Sequence, residues 1–349
     1  VPAFIKYEGD YMVKNIVLII TIIFLLNCGE NIFKEKVEFK YSNPIGAINI
    51  TKGDNLKEGP LHWSVNSNYL IYIVDYYNNE NHNIYYTAKR FIQDKFPYIY
   101  ILKDYIGFLD SPPVVSPDGK WWVYSGKPVN QQFLDIYRVD SENPESEPER
   151  LTFNDLTDKF GRVSPDGEWL AFISQREPHV QTGSEVYIMK FEPEGENNQP
   201  IRITYYNDLS CWNILWSPDG EWLYYTHWDY NMDDKIYKIK PFVGIDSEEV
   251  INISGGIMVI PTDVSPDGKW IVLDYLFFNE NNEYQSRIGY ISSEAGEQEI
   301  HDFFPPLEWG CDCEGAAFSP DGNWIAFVSE MENPEKMTDI FLYPFNPDE

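Results

Sequence analysis

Along most of the chain apolar and polar residues alternate with period two, and clusters of Gly, Pro, Asn and Asp interrupt each run. Period two is the signature of a strand with one buried face. Other runs, such as Trp121-Trp122-Val123-Tyr124 and Trp324-Ile325-Ala326-Phe327-Val328, are apolar throughout, as in strands covered on both sides. The pattern recurs as a unit. An apolar residue (Val115, Val163, Trp216, Val264 or Phe318) precedes Ser-Pro-Asp-Gly, one variable residue and a Trp. Copies begin at Ser116, Ser164, Ser217, Ser265 and Ser319, at intervals of 48, 53, 48 and 54 residues. Pro sets φ early in the turn, Asp bonds its own backbone and Gly supplies positive φ, so the motif predicts a hairpin with Trp on its second strand. A third segment follows, as in Asp135-Ile136-Tyr137, Glu185-Val186-Tyr187 and Asp339-Ile340-Phe341. A fourth reads Arg150-Leu151-Thr152, Arg202-Ile203-Thr204 and Asn252-Ile253-Ser254. A helical repeat does not fit, because Gly and Pro break a pattern whose period is two.

The same grammar extends one unit upstream in degenerate form. Trp63-Ser64 stands 52 residues before Ser116, with Tyr69 where the Trp belongs, and Ile71-Tyr72-Ile73-Val74 and Asn83-Ile84-Tyr85-Tyr86 supply the next strands. The last unit stops after its third strand, near Tyr343, while Ile48-Asn49-Ile50-Thr51 reads as a spare fourth strand before the first unit. Four short strands per unit, repeated about every fifty residues, predict an all-β fold. The expected form is a six-bladed β-propeller of four-stranded antiparallel blades over residues 46–349. Pairing the N-terminal strand into the last blade would close the ring and remove exposed sheet edges.

These residues carry a family resemblance. The string Trp/Val-Ser-Pro-Asp-Gly-x-Trp, followed by an Asp-Ile-Tyr-like strand and Arg-Leu-Thr, resembles the WD40-like propeller repeat of the TolB family. The resemblance covers residues 46–349 and is to a repeat type. The small α/β domain that precedes the propeller in TolB has no counterpart in this sequence. What the resemblance implies is a six-bladed propeller, often of the bacterial envelope and often a binding platform.

The N-terminal segment has a different character. After Met12 and Lys14, residues 16–26 are apolar except for Thr21. Eleven residues are too few to span a bilayer, which needs about 20, but suit the apolar region of an export signal. The run ends in Leu25-Leu26-Asn27-Cys28-Gly29, which resembles the lipobox of bacterial lipoproteins. The resemblance implies a diacylglycerol on Cys28, which becomes the mature N-terminus, although Asn27 departs from the Ala or Gly usual there. Residues 1–28 are therefore expected to be an over-long start plus a lipoprotein signal peptide, with Met12 as the initiator. Residues 29–45 are expected to be a polar tether. The protein would be exported and lipid-anchored to a bacterial membrane, at the outer membrane, on its periplasmic side or at the cell surface.

Composition narrows the partners. With 56 acidic and 26 basic residues the formal charge is −30, and a field of that sign disfavours nucleic acid. Beyond Cys28 the cysteines are Cys211, Cys311 and Cys313, an odd number for an exported chain. Cys211 and Cys313 each lie six residues before the Ser of their turns, where the other units carry Glu58, Asp110, Asp158 and Val259. This stretch leads into the innermost strand, so Glu58, Asp110, Asp158, Cys211 and Cys313 are expected to ring one mouth of a central channel. Three readings of the ring stand open: acidic residues facing channel water, a mouth for a cationic or polar ligand, and a metal site of Cys211, Cys313 and Asp158. No CxxC pair or clustered His supports the metal, so neither a metal nor a cofactor is expected.

Catalytic signatures are missing from the sequence. It contains no Gly-x-Ser-x-Gly elbow, and no hydrolase domain of the prolyl-oligopeptidase kind follows the propeller within its residues. The sialidase Asp-box spaces its residues differently. His62, His82, His179, His227 and His301 are scattered, with only His62 near an inner strand and His227 expected in a loop. The expectation is a non-catalytic envelope platform binding a protein or peptide. The alternative is a carbohydrate-binding or carbohydrate-active propeller, which would need two carboxylates about 5–10 Å apart in an open channel beside an exposed aromatic ring.

Overall fold

A computed structural model of the chain describes residues 47–51, 57–64, 69–77, 83–91, 98–100, 112–127, 131–176, 183–206, 210–228, 235–254, 258–278, 284–303, 312–331 and 338–347. The chain divides into two units, Val1–Val37 and Glu38–Glu349, and every described residue belongs to the second. Strand β1 (Ile48–Asn49) comes first. Sheet 1 then holds β2 (Lys57–Trp63), β3 (Tyr69–Tyr77), β4 (Asn83–Phe91) and β5 (Tyr98–Tyr100). Sheet 2 holds β6 (Val114–Val115), β7 (Trp121–Gly126), β8 (Asp135–Asp140) and β9 (Glu149–Arg150). Sheet 3 holds β10 (Asp158–Val163), β11 (Trp169–Ser174), β12 (Glu185–Lys190) and β13 (Ile201–Arg202). Sheet 4 is built on β14 (Ser210–Trp216), β15 (Leu223–Trp228), β16 (Lys235–Ile239) and β17 (Glu249–Ser254). Sheet 5 takes β18 (Met258–Val264), β19 (Trp270–Phe278) and β20 (Tyr284–Ser292). Strand β21 (Gly296–Glu299) then departs, and β22 (His301–Asp302) returns to sheet 5. Sheet 6 holds β23 (Cys313–Phe318), β24 (Trp324–Ser329) and β25 (Asp339–Pro344), with β1 along β25 so that Ile48 faces Leu342 and Asn49 faces Phe341. The described residues thus form an all-β propeller.

The Ser-Pro-Asp-Gly turns explain why each sheet begins as it does. Within every copy the Ser hydroxyl donates to the Asp carboxylate, at 2.5–2.7 Å, and accepts the Trp backbone N–H at 2.9–3.0 Å. The Asp also accepts the N–H of the variable residue, and the Gly sits at φ of 73–76° where a side chain would be strained. One Asp oxygen is thus taken up twice by the turn itself. Five sheets carry this turn. Sheet 1 lacks the Pro-Asp-Gly but keeps the geometry, since Ser64 Oγ accepts the Tyr69 N–H at 3.0 Å.

Burial is concentrated in the seams between neighbouring sheets. Ile173, Ile188 and Ile203 of sheet 3 meet Ile214, Tyr225 and Ile239 of sheet 4, with Trp169 against the same cluster. Equivalent seams join sheets 1 and 2, 2 and 3, 4 and 5, and 5 and 6. The repeated Trp is therefore inter-sheet packing; Arg138 lies over Trp121, Lys190 over Trp169 and Lys238 over Trp222, each from the third strand, while Trp270 meets Tyr290 edge-on. A fully buried large apolar side chain contributes about 1.5–3 kcal/mol, so the seams carry most of the stability.

Two departures from the expected pattern have physical reasons. Sheet 4 has five strands, because β21 lies parallel to β17 on its outer edge, joined also by Asn252 to Glu297 at 3.1 Å. An uncovered edge invites mispairing, and the segment after β20 covers it. Second, five innermost strands carry a β-bulge, between Glu58 and Leu61, Lys159 and Arg162, Trp212 and Ile214, Pro261 and Asp263, and Glu314 and Ala317. Phe160 and Asn213 sit in two of these bulges at φ of 58° and 42°. A bulge breaks the period-two alternation and re-aims the side chains on either side.

Candidate functional site

In sheets 2, 3 and 6 the head of the third strand is tied to a Thr just past or beside the fourth. In sheet 2, Arg150 pairs with the buried Asp135 at 2.6 Å, while Thr152 donates to Asp135 at 3.3 Å and accepts the Ile136 N–H at 3.0 Å. Sheet 3 repeats this with Arg202 on Glu185 at 2.8 Å and Thr204 donating to Glu185 and accepting from Val186. In sheet 6 the Thr is Thr51, beside β1, which donates to Asp339 at 3.3 Å and accepts the Ile340 N–H at 2.8 Å. An acid opening the third strand, answered by Thr after the fourth, was the unread half of the Arg-Leu-Thr signal.

The bulges decide where the predicted mouth residues go. Asp158, Cys211, Val259 and Cys313 are all buried. They do not share an open mouth. Cys211 lies in the seam of sheets 3 and 4 and Cys313 in that of sheets 5 and 6. Asp158 is fully buried and held by Arg176 at 2.8 Å and Asn154 at 2.5 Å. Beyond the bulge these side chains point between sheets, which withdraws both thiols and Asp158 from a channel ligand. Burial, reinforced by the charge of Glu185, pushes the Cys211 thiol far above its ordinary range, and among the described residues no three His, Cys, Asp or Glu groups are placed to hold a metal. Glu58 pairs through its backbone with Val74, and its side chain, like Asp110, Cys28 and Cys311, lies outside the described residues. His227 belongs to β15, stacked on Tyr237 at 4.0 Å between ring centroids, and not to a loop.

On the same face as the starts of the inner strands, the link between sheets 2 and 3 forms a cleft of about 600 Å³ with Gln131, Gln132, Phe133, Arg150, Phe153 and Asn154 in its wall. Phe153 is 49% exposed, with the Arg150 guanidinium 4.8 Å from its ring centre. One sheet on, Tyr205 is 57% exposed beneath Arg202 at 4.6 Å. Both rings directly follow the Thr of the fourth-strand lock, so the repeat places an Arg-backed aromatic at successive seams of one face. Behind Phe153, Glu194 accepts its N–H at 3.0 Å and pairs with Arg176 at 3.1 Å.

A second set of polar residues lies nearer the axis, two residues before each turn Ser. Here stand His62, Arg162 and Asp263 in sheets 1, 3 and 5, and Val114, Leu215 and Ala317 in sheets 2, 4 and 6. The Arg162 charge bears on both His62 and Asp263. Burial lowers His62 to about 4, with the Arg162 charge adding to it, and its Nδ1 lies 2.7 Å from the Trp63 carbonyl. Burial also raises Asp263 to about 7, while its oxygens accept the N–H groups of Val264 and Phe318. The turn ruler that aligned the sixth residue before each Ser would have found this ring at the second.

Comparison with known proteins fits the fold. No family model matches the chain. The uncharacterised peptidase YuxL of Bacillus subtilis is 27% identical over 240 residues, 66% of this chain and 31% of that protein. The chain thus spans about a third of that relative's length. The crystal structure of TolB from Acinetobacter baumannii superposes with a TM-score of 0.51 at 20% identity, covering 75% of this chain and 60% of that one. A provisionally named TolB from Agrobacterium tumefaciens gives 0.54 at 19% identity, covering 83% and 90%. The fold is that of TolB and other β-propellers.

Proposed function

We propose that the chain is a non-catalytic propeller platform for a protein or peptide of the bacterial envelope, held at a membrane by a lipid on Cys28. The observation that carries the binding role is the pair of exposed, Arg-backed rings, Phe153 and Tyr205, beside the cleft. Aromatic and Arg side chains dominate the energetics of protein interfaces, and an exposed ring held by a fixed guanidinium loses little freedom on docking. Asp135 and Asp158 are each taken up by an Arg, which weighs against acid–base work by that pair. The envelope setting rests on the lipobox resemblance, and the shared fold with TolB structures is compatible with a binding role. Affinity capture from detergent-solubilised envelopes is expected to recover a specific partner. Phe153→Ala with Tyr205→Ala should weaken its binding by at least about thirtyfold, the effect of losing a central aromatic anchor. Recovery of no specific partner, or unchanged binding by the double variant, would sink this reading. A saccharide ligand is the second reading, favoured by the planar amides of Gln131, Gln132 and Asn154 around Phe153.

The platform is proposed to be a closed ring of six blades. Support comes from β1 beside β25, from Thr51 repeating the fourth-strand lock, and from Trp63 of sheet 1 donating to the Ala317 carbonyl of sheet 6 at 3.2 Å. Ile48→Cys with Leu342→Cys, across the paired strands, is expected to form an intramolecular disulfide under mild oxidation, in a background lacking the natural cysteines. A pair that stays reduced, while a control pair inside sheet 3 oxidises, would exclude this closure.

A further inference from the structure

The residues two before each turn Ser form a ring that the rim surface does not use. Titratable side chains alternate with apolar ones around it: His62, Arg162 and Asp263 between Val114, Leu215 and Ala317. All three polar residues are half-buried, and the three apolar residues are buried. The inner strands that carry them are cross-tied. Trp216 donates to the Arg162 carbonyl at 3.1 Å, Asn213 to the Pro261 carbonyl, and Phe318 N–H to Asp263 at 2.9 Å. The positions are therefore held by the scaffold and not by mobile loops, as a binding constellation requires.

The hydrogen-bond inventory of the ring is uneven. Arg162 has no carboxylate within ion-pair distance among the described residues, and its one hydrogen bond is to the adjacent Gly161 carbonyl at 3.3 Å. Most of its five donors thus have no protein acceptor among the described residues. A guanidinium removed from bulk water without an anion is costly, and its planar fork matches a carboxylate. The other two groups accept. With Nδ1–H directed at the Trp63 carbonyl, His62 presents the lone pair of Nε2. Each Asp263 oxygen takes one backbone N–H and keeps acceptor capacity. A complementary ligand must bring a small planar anion for Arg162 and, next to it, a donor for His62 or Asp263. A bare anion such as chloride lacks the donor, and phosphate would set further negative charge against Asp263.

We propose that the axial ring of His62, Arg162 and Asp263 is a binding site for a carboxylate that carries an N–H or O–H donor on the adjacent carbon. Two sources share this chemistry, the C-terminal residue of a peptide and a free hydroxy acid. The site is independent of the Phe153 and Tyr205 surface, so either can fail alone. Titration of the full chain with N-acetylglycine, glycolate and N-acetylglycinamide, followed by calorimetry or NMR shifts, tests it. Binding of N-acetylglycine assigns a peptide terminus and binding of glycolate assigns a hydroxy acid. N-acetylglycinamide, which lacks the carboxylate, should bind neither measurably nor competitively. Arg162→Gln is expected to weaken binding by about ten- to a hundredfold, the range for one lost charge-assisted hydrogen-bonding group. Should Arg162→Gln fail to fold, Arg162→Lys, which keeps charge but not the fork, should weaken it about tenfold. The proposal is overturned if neither carboxylate binds at millimolar concentration, if the amide binds as well as the acids, or if the folded Arg162 variant binds unchanged.

Discussion

Arg176→Ala is expected to destabilise the protein by about 3–5 kcal/mol, the cost of stranding one partner of a buried ion pair. The carboxylate it strands, Asp158, is fully buried, and Arg176 gives it a 2.8 Å contact and a full charge that the neutral Asn154, Ser174 and Thr152 would only partly replace. Arg176 also holds Glu194 at 3.1 Å and lies over the rings of Phe172 and Tyr187, so the substitution removes packing as well as charge. Against a typical total of about 5–15 kcal/mol, this is a large fraction. The double change Asp158→Asn with Arg176→Met removes both charges and should recover at least half of the loss, because a buried pair is often replaceable by neutral groups of similar size. Urea unfolding of the three proteins measures this. A loss under about 1 kcal/mol for Arg176→Ala would mean that water reaches Asp158. Through Glu194 the same substitution should also loosen the Phe153 link, so partner binding ought to weaken with stability.

The contrast between Asp158 and Arg162 shows how far the sequence could be read. Both stand in β10, and both are legible as inner-strand residues once the turns are used as rulers. The turns are legible because Ser, Asp and Gly do local work that needs no knowledge of the rest of the chain. Their hydrogen bonds all close within five residues. Whether Asp158 or Arg162 faces the axis depends on the bulge between them, and that bulge is written in no local motif: Phe160 takes positive φ there and Asn213 does so in sheet 4, without a glycine at either position. Their place six residues before each turn Ser, leading into the innermost strand, put Cys211 and Cys313 at the mouth, whereas beside the bulges both thiols pack into the seams. The pairing of Thr51 with Asp339, 288 residues apart, was visible only as a leftover strand. The Thr that completes the lock could have been found by matching it to Thr152 and Thr204. Phe153 and Tyr205 were missed because an aromatic in a strand-rich sequence is taken first as core. Their exposure follows from their place just after the lock, where the fourth strand has already ended.

Stability is expected to fall as the pH rises from about 5 to 8, the reverse of what an acidic protein held by ordinary salt bridges would do. Burial raises Asp135 and Asp263 from 3.8 to about 7, and Glu248 from 4.5 to about 7. Between these limits the folded chain keeps protons that the unfolded chain releases, so each such group removes up to about 1.4 kcal/mol of stability per pH unit, a slope that fades as the pH passes the folded value. Solvent access at the half-buried Asp263 and Glu248 reduces the effect there. His62 works in the opposite sense. Its folded value of about 4 lies below 6.5, so in that window the unfolded chain binds the extra proton and stability rises with pH. Burial raises Asp158 as well, so one histidine stands against four carboxyls, which dominate, and above pH 6.5 they act unopposed. Repulsion within a chain of formal charge −30 adds to the same trend. On the acid side, hydrogen bonds hold Asp166 and Asp219 below the usual carboxylate range, and Asp118 and Asp267 are lowered as well. Their contribution is lost as pH falls below about 4, which places the maximum between about pH 4 and 5. Urea midpoints at pH 3.5, 5, 6.5 and 8 trace the curve. Asp135→Asn and Asp263→Asn, which carry no proton to lose, should each flatten its alkaline limb. A midpoint that climbs steadily from pH 5 to 8 would show that these carboxyls ionise in water and are not sheltered in the fold.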